Sequence, residues 1–281
     1  MLKRIRHSIL CLLPIVIIGG CVSLSKQGSS IAEARQIDSY QLFEGELQSS
    51  YGCEFNYRLF KPTVPVSSTT IILGHGFLRS QDNMVGFGRA FANSGINIAT
   101  LDFCNMRLWN GHHERNADDM RTLANELGMP GNVIYAGFSA GALAAILAAD
   151  SQTRAIVALD LVDQANLAVN AITQLQTPLI GLSGPASSCN ASGNGSPVFK
   201  SRTDDTLSSL VYVDRASHCE FESPSNWLCE ITCGDDDSDA ANQQTRELIE
   251  QRALELVKPF LVPIPAPAES QFTDAGSTRL N

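Results

Sequence analysis

The chain has 281 residues, 44% of them hydrophobic and 17% charged, which suits one large α/β domain with a sizeable core and excludes wholesale disorder. The formal net charge is −9, and the first twenty residues hold Lys3, Arg4 and Arg6 with no acid, leaving 17 basic against 29 acidic residues, or −12, in the remainder. So acidic a domain argues against nucleic acid as a partner and against a basic membrane-surface patch.

The chain opens on the basic stretch "MLKRIRH" and the apolar run "SILCLLPIVIIGG". That run is shorter than the ~20 apolar residues a membrane span needs, so residues 1–20 read as an export signal. Ile18, Gly19, Gly20 and Cys21 resemble the lipobox of bacterial lipoproteins. The resemblance implies cleavage before Cys21, lipidation of its sulfur and attachment to the membrane through that anchor. No Asp follows Cys21, which in a Gram-negative envelope implies the outer membrane. An ordinary signal peptide with a periplasmic product, or an uncleaved anchor, is the competing reading. The polar segment 21–38 reads as a tether.

Export changes how the cysteines are read. Beyond Cys11 and Cys21, six remain: Cys53, Cys104, Cys189, Cys219, Cys229 and Cys233. An even number in an oxidising compartment predicts disulfides, with fifteen possible connectivities for six cysteines. A Cys189–Cys219 bridge would pin the loop around His218, and Cys229 and Cys233 compete equally for either partner. Zinc is the rival reading for Cys229 and Cys233, but no second pair or suitable His completes a site, and no metal is expected.

The domain is expected over residues 39–262. "QLFEGELQSSYGCEFNYRLFKP" predicts two antiparallel strands turning at Ser50-Tyr51-Gly52. Then strands and helices alternate. "TTIILGHG" is a buried strand, "SQDNMVGFGRAFANSG" a helix and "INIATLDF" a strand. "NADDMRTLANELG" is a second helix, and "NVIYAG" and "AGALAAILAADS" are a strand and a helix. "RAIVALD" is a strand, "QANLAVNAITQL" a helix, and "TPLIGLSG" and "LSSLVYVD" two more strands. The last helix, "DSDAANQQTRELIEQRALELVKPF", has acids at its start and Lys258 at its end, as the helix dipole prefers. This alternation predicts a mostly parallel central sheet with helices on both faces. The Gly/Ser-rich excursion 183–206 is long for a compact domain, and residues 263–281 read as a loose tail.

Gly137-Phe138-Ser139-Ala140-Gly141 matches G-x-S-x-G between a buried strand and an Ala-rich helix. A serine on so sharp a turn needs small neighbours two residues to either side, and the helix N-terminus then lies under developing negative charge. Ser139 is therefore the candidate nucleophile, and it needs a base. The expected chain order is Ser, acid, His, and His218 is the one histidine after Ser139. For the acid, the strand "TPLIGLSGPASS" has no carboxylate at its exit, whereas "RAIVALD" ends in Asp160. A carboxylate just past a strand can orient the imidazole, so Asp160 is preferred. Asp163 reads as the cap of the following helix. Asp214, close to His218 in sequence, comes third. The backbone N–H groups of Phe77 and Ala140 are the expected oxyanion donors. Phe77 and Phe138 are the expected substrate-contacting rings. "NGHHER", read as a loop at the pocket mouth, is not a metal pair, and "GDDDSDA" lacks the spacing of a calcium loop.

From about Leu42 to Phe260 these motifs resemble the α/β-hydrolase superfamily. "GHGF", "GFSAG", "ALDLVD" and "ASHCEFE", in this order, are similar to the chlorophyllase, platelet-activating-factor acetylhydrolase and cutinase-like group. In that group runs similar to "ALDLVD" carry the triad acid, which supports Asp160. Phe138, Ala140 and Ala142 depart from the chlorophyllase elbow, and the acid stands one strand earlier than in most cutinase-like enzymes. The expectation is an exported, monomeric serine esterase acting on small-molecule or lipid-like carboxylic esters without a cofactor. The rival is a non-catalytic lipoprotein that uses the hydrolase fold as a binding module.

Overall fold

The computed structural model describes residues 33–37, 39–105, 111–202, 204–233 and 239–264. The signal segment, the lipidation candidate Cys21, most of the tether and the tail beyond Ile264 lie outside these residues. Nine strands form one sheet: β1 (Glu33–Ile37), β2 (Tyr40–Gln48), β3 (Glu54–Pro62), β4 (Thr70–Gly74), β5 (Asn97–Leu101), β6 (Val133–Phe138), β7 (Ala155–Leu159), β8 (Leu179–Ser183) and β9 (Ser208–Tyr212). The order across the sheet is β1-β2-β3-β5-β4-β6-β7-β8-β9. β1, β2, β3 and β5 pair antiparallel, and every pair from β5 to β9 is parallel.

The expected tether is corrected at its end. Glu33–Ile37 pairs along β2 from Glu33↔Glu44 to Ile37↔Tyr40. Its polar side chains hid it, because an edge strand is held by backbone hydrogen bonds and needs no apolar face. At the other end of the domain Pro263, expected as the first residue of the tail, forms an antiparallel bridge with Ser67.

The helices are α1 (Val85–Asn93), α2 (His113–Glu126), α3 (Ala140–Ala148), α4 (Leu167–Ile172), α5 (Trp227–Cys233) and α6 (Asp239–Val257). Strand side chains alternate between two cores. Ile72, Tyr135, Ile156 and Ala158 pack with α2 and α3, while Ile71, Leu73, Ile134 and Val157 pack with α1 and α6. Burial on both faces is why the central strands read as unbroken apolar runs. Helix α2 begins at His113, three residues before the expected Asn116. His113 is thus buried at a helix start rather than on a loop, bonded through Nε2 to Gln164.

The disulfides are Cys53–Cys104, Cys189–Cys233 and Cys219–Cys229. The sulfurs of Cys219, Cys229 and Cys233 lie within 4.8 Å of one another, yet each is held in an S–S bond rather than as a metal ligand. Two of these bridges staple α5, a helix too short and too cysteine-rich to show an apolar period in the sequence.

Candidate active site

The candidate residues gather at the carboxyl ends of the parallel strands. Ser139 links β6 to α3 with φ 55° and ψ −117°, a conformation L-residues rarely adopt. The glycines around it show why the turn demands small residues. A Cβ on Gly137 would fall 2.1 Å from the Gly141 carbonyl oxygen, and one on Gly141 would fall 2.4 Å from the His75 oxygen. Both obstacles are backbone, so only the absence of a side chain lets α3 lie against β4.

Asp160 is the first residue past β7 and is 1% exposed. Its φ of +42° is tolerated because Asp visits the left-handed region more readily than bulkier residues. The Asp160 Oδ2 lies 2.6 Å from His218 Nδ1, and His218 Nε2 lies 3.1 Å from Ser139 Oγ. An ionised carboxylate only accepts, so Nδ1–H donates to Asp160 and the Nε2 lone pair faces the Ser139 hydroxyl. Three positions 79 and 58 residues apart or less in sequence thus form one hydrogen-bonded chain. Asp163 instead accepts from Ala168 N–H at 2.9 Å and Val169 N–H at 3.4 Å, in the first turn of α4, the capping role expected of it. Asp214 has no place in this chain.

Further residues surround Asp160. Its Oδ1 accepts from Ser183 Oγ at 2.8 Å and from Gly184 N–H at 3.1 Å, while Asn190 Nδ2 reaches both carboxylate oxygens at 3.3–3.4 Å. Ser183 stands at the end of β8, where the sequence offers no acid, and supplies a hydroxyl instead. Asn190 comes from the long Gly/Ser-rich excursion, and no motif marks it. These donors give the buried carboxylate the hydrogen-bond partners that burial away from water demands.

His218 opens a 3-10 turn capped by Ser217 and Glu220, whose side chains reciprocally accept backbone N–H groups. The Phe138 ring lies 4.7 Å from the His218 ring, centroid to centroid. Phe138 is 1% exposed, so the expectation that it contacts substrate is corrected. As the last residue of β6 it points into the core shared with α1 and α6 and buttresses the imidazole from behind. The Phe77 side chain is exposed.

The turn after β4 is set by His75. Phe103 N–H donates to its Nε2 at 3.1 Å, which leaves Nδ1–H to donate to the Gly76 carbonyl at 2.8 Å. Across a trans peptide C=O and N–H point oppositely, so the Phe77 N–H is turned away from His75. A Cβ on Gly76 would lie 3.3 Å from Ser139 Cβ, which shows how closely this turn approaches the serine. Neither Phe77 N–H nor Ala140 N–H donates to a protein acceptor among the described residues.

Burial lowers the His75 pKa to about 4, as the accepted Phe103 bond requires of a neutral ring. Because its folded pKa lies below the ordinary value, His75 contributes stability that is fully present above pH ~6.5 and lost as pH falls toward about 4. Asp119, pushed up to about 6 by burial, acts in the opposite direction. With His75 removed the Asp119 contribution is left unopposed, so His75→Asn is expected to raise stability at pH 4.5 relative to pH 7 by about 2 kcal/mol compared with the wild type. Urea unfolding of both proteins at pH 7 and pH 4.5 measures it, and parallel profiles would exclude His75 as the source.

A cleft of about 540 Å³ lined by Glu44, Arg58, Asp82 and Asp102 also opens on the surface. None of the expected site residues lines it.

No family model and no curated protein sequence matches the chain. Solved structures do. A dienelactone hydrolase from Anabaena variabilis is similar over 79% of this chain and 99% of its own, at 17% identity and a TM-score of 0.61. The esterase domain of a Rhodothermus marinus protein covers 76% of this chain and 99% of its own, at 16% identity and a TM-score of 0.54. The chain has the α/β-hydrolase fold. A ferulic acid esterase from Streptomyces cinnamoneus shares this fold over 81% of the chain and 92% of its own, at 16% identity and a TM-score of 0.55. Within the α/β-hydrolase fold, Ser139 occupies the strand-to-helix elbow after β6, with Asp160 and His218 on the two loops that converge on it.

Proposed function

We propose that the protein is a serine hydrolase that cleaves carboxylic esters through Ser139, His218 and Asp160. The observation that carries this reading is the continuous chain from Asp160 Oδ2 through His218 to Ser139 Oγ, at 2.6 and 3.1 Å, beside two N–H groups without a protein acceptor among the described residues. Ser139 attacks the ester carbonyl as its proton passes to His218 Nε2. Asp160 holds the ring in the tautomer that can accept that proton and stabilises the imidazolium. The Phe77 and Ala140 N–H groups receive the oxyanion, each such donor being worth roughly 10²–10³ in turnover. His218 then returns the proton to the leaving alcohol, and water activated by the same ring hydrolyses the acyl-enzyme.

Ester substrates are the reading most consistent with the fold neighbours, several of which are named esterases. We infer further that residues 1–20 direct export and that lipidation of Cys21 holds the enzyme at the bacterial envelope, where it meets small or lipid-like esters. A fluorophosphonate probe tests the reading. It is expected to label the wild type covalently and to leave Ser139→Ala unlabelled, with the variant's hydrolysis of p-nitrophenyl acetate at background. Equal labelling of both proteins, or none of the folded wild type, would show that Ser139 is not a nucleophile and favour the non-catalytic binding module.

A further inference from the structure

A buried ion pair joins the two loops on which the proposed chemistry depends. Arg79 Nε donates to Glu222 Oε2 at 2.8 Å, and the two side chains are only 9% and 0% exposed. Arg79 lies two residues beyond Phe77, and its own N–H closes the turn onto the Gly76 carbonyl at 3.2 Å. Glu222 lies four residues beyond His218, directly after the 3-10 turn that His218 opens. The second Glu222 oxygen accepts from Ser225 Oγ at 2.9 Å.

The same two segments are joined along their backbones. Ser223 N–H donates to Asn83 O at 2.7 Å, Gly86 N–H donates to Ser223 O at 2.7 Å, and Asn83 Nδ2 donates to Pro224 O at 3.1 Å. A Cβ on Gly86 would fall 2.0 Å from Ser223 Oγ, so the approach admits no side chain there.

An ion pair this deep is an expensive way to hold two loops together. Apolar side chains of similar volume commonly give equal or greater stability. What apolar packing lacks is direction, since a guanidinium bonded to a carboxylate fixes both distance and orientation. We infer that Arg79 and Glu222 are positioning residues that hold the Phe77 oxyanion turn and the His218 loop in register. The inference rests on the ester-hydrolase reading of Ser139 and deepens it, because the two N–H donors and the base must reach one carbonyl together. A misplacement of about 1 Å can cost about 10²-fold in rate.

The test separates position from stability. Glu222→Gln leaves Arg79 buried without its counter-charge and is liable to unfold, so the decisive protein is the double variant Arg79→Met/Glu222→Met. It removes both charges and keeps the volume filled. Thermal melting, fluorophosphonate labelling of Ser139 and p-nitrophenyl acetate kinetics are measured on the full chain beside the wild type. The expected double variant melts close to the wild type and keeps KM within about twofold, with kcat down by about 10²-fold and labelling slowed in proportion. A folded double variant with wild-type kcat, beside a wild type that is labelled at Ser139, overturns this inference alone. A folded wild type that is not labelled overturns the hydrolase reading and this inference with it.

Discussion

Asp160→Asn is expected to lower kcat by about 10⁴-fold while the protein stays folded. The reason lies in the donors around the carboxylate. Ser183 Oγ and Gly184 N–H both donate to Oδ1, so the amide oxygen of an Asn must take that side. Its NH₂ group then faces His218 Nδ1, where Asp160 Oδ2 accepts in the wild type. Two donors cannot share that contact, so the ring adopts the other tautomer, with its proton on Nε2. That nitrogen can no longer accept from Ser139 Oγ. The backbone change is small, because Asn tolerates the φ of +42° as well as Asp does. Asp163→Asn is the control. Asn caps nearly as well as Asp but can accept only one of the two N–H groups that Asp163 Oδ1 and Oδ2 serve, so the variant is expected to cost under about 1 kcal/mol in stability with kcat nearly unchanged. Turnover and urea unfolding of both variants check this, and a reversed pattern would make Asp163 the acid.

Gly141→Ala is expected to destabilise the protein by about 3 kcal/mol and to lose activity beyond what the loss of folded protein explains. One methyl group produces this because its neighbours are rigid. The new Cβ would sit 2.4 Å from His75 O, 2.5 Å from Gly74 O and 2.7 Å from Gly74 C. None of these is a side chain that can swing away, so α3 must move off the end of β4. That motion separates Ser139 and the Ala140 N–H from the Gly76-Phe77 turn, the two halves of the proposed oxyanion site. A domain of this size shifts its melting temperature by about 2–4 °C per kcal/mol, so a fall of roughly 6–12 °C is expected. Thermal melting with labelling of the folded fraction measures both effects. A variant with wild-type melting and labelling would mean that the elbow relaxes without consequence.

The parallel strands were legible because burial on both faces leaves runs such as "TTIILG" and "RAIVAL" with nothing polar to interrupt them. The elbow was legible for a steric reason, since Gly137 and Gly141 mark a backbone approach that no other residue permits. His218 followed by elimination and Asp160 from the missing acid after β8, both arguments about order along the chain. Other features left no such mark. β1 is held by backbone hydrogen bonds that any side chains allow, and α5 by disulfides whose pairing depends on which sulfurs meet in space.

Phe138 shows the limit at a single residue. Its position beside Ser139 suggested a substrate contact, but alternation along β6 turns its ring into the core behind His218. Asn190, Ser183 and the Arg79–Glu222 pair belong to the same category, because each acts through a partner 23 to 143 residues away. Local pattern carries the residues whose own backbone geometry or burial constrains their identity, and in this chain those include the strands, the glycine elbow and the order Ser139, Asp160, His218. Residues whose role is to satisfy or orient a distant group carry no local constraint. Their contribution exists only once the chain has closed on itself and brought a buried charge to a donor.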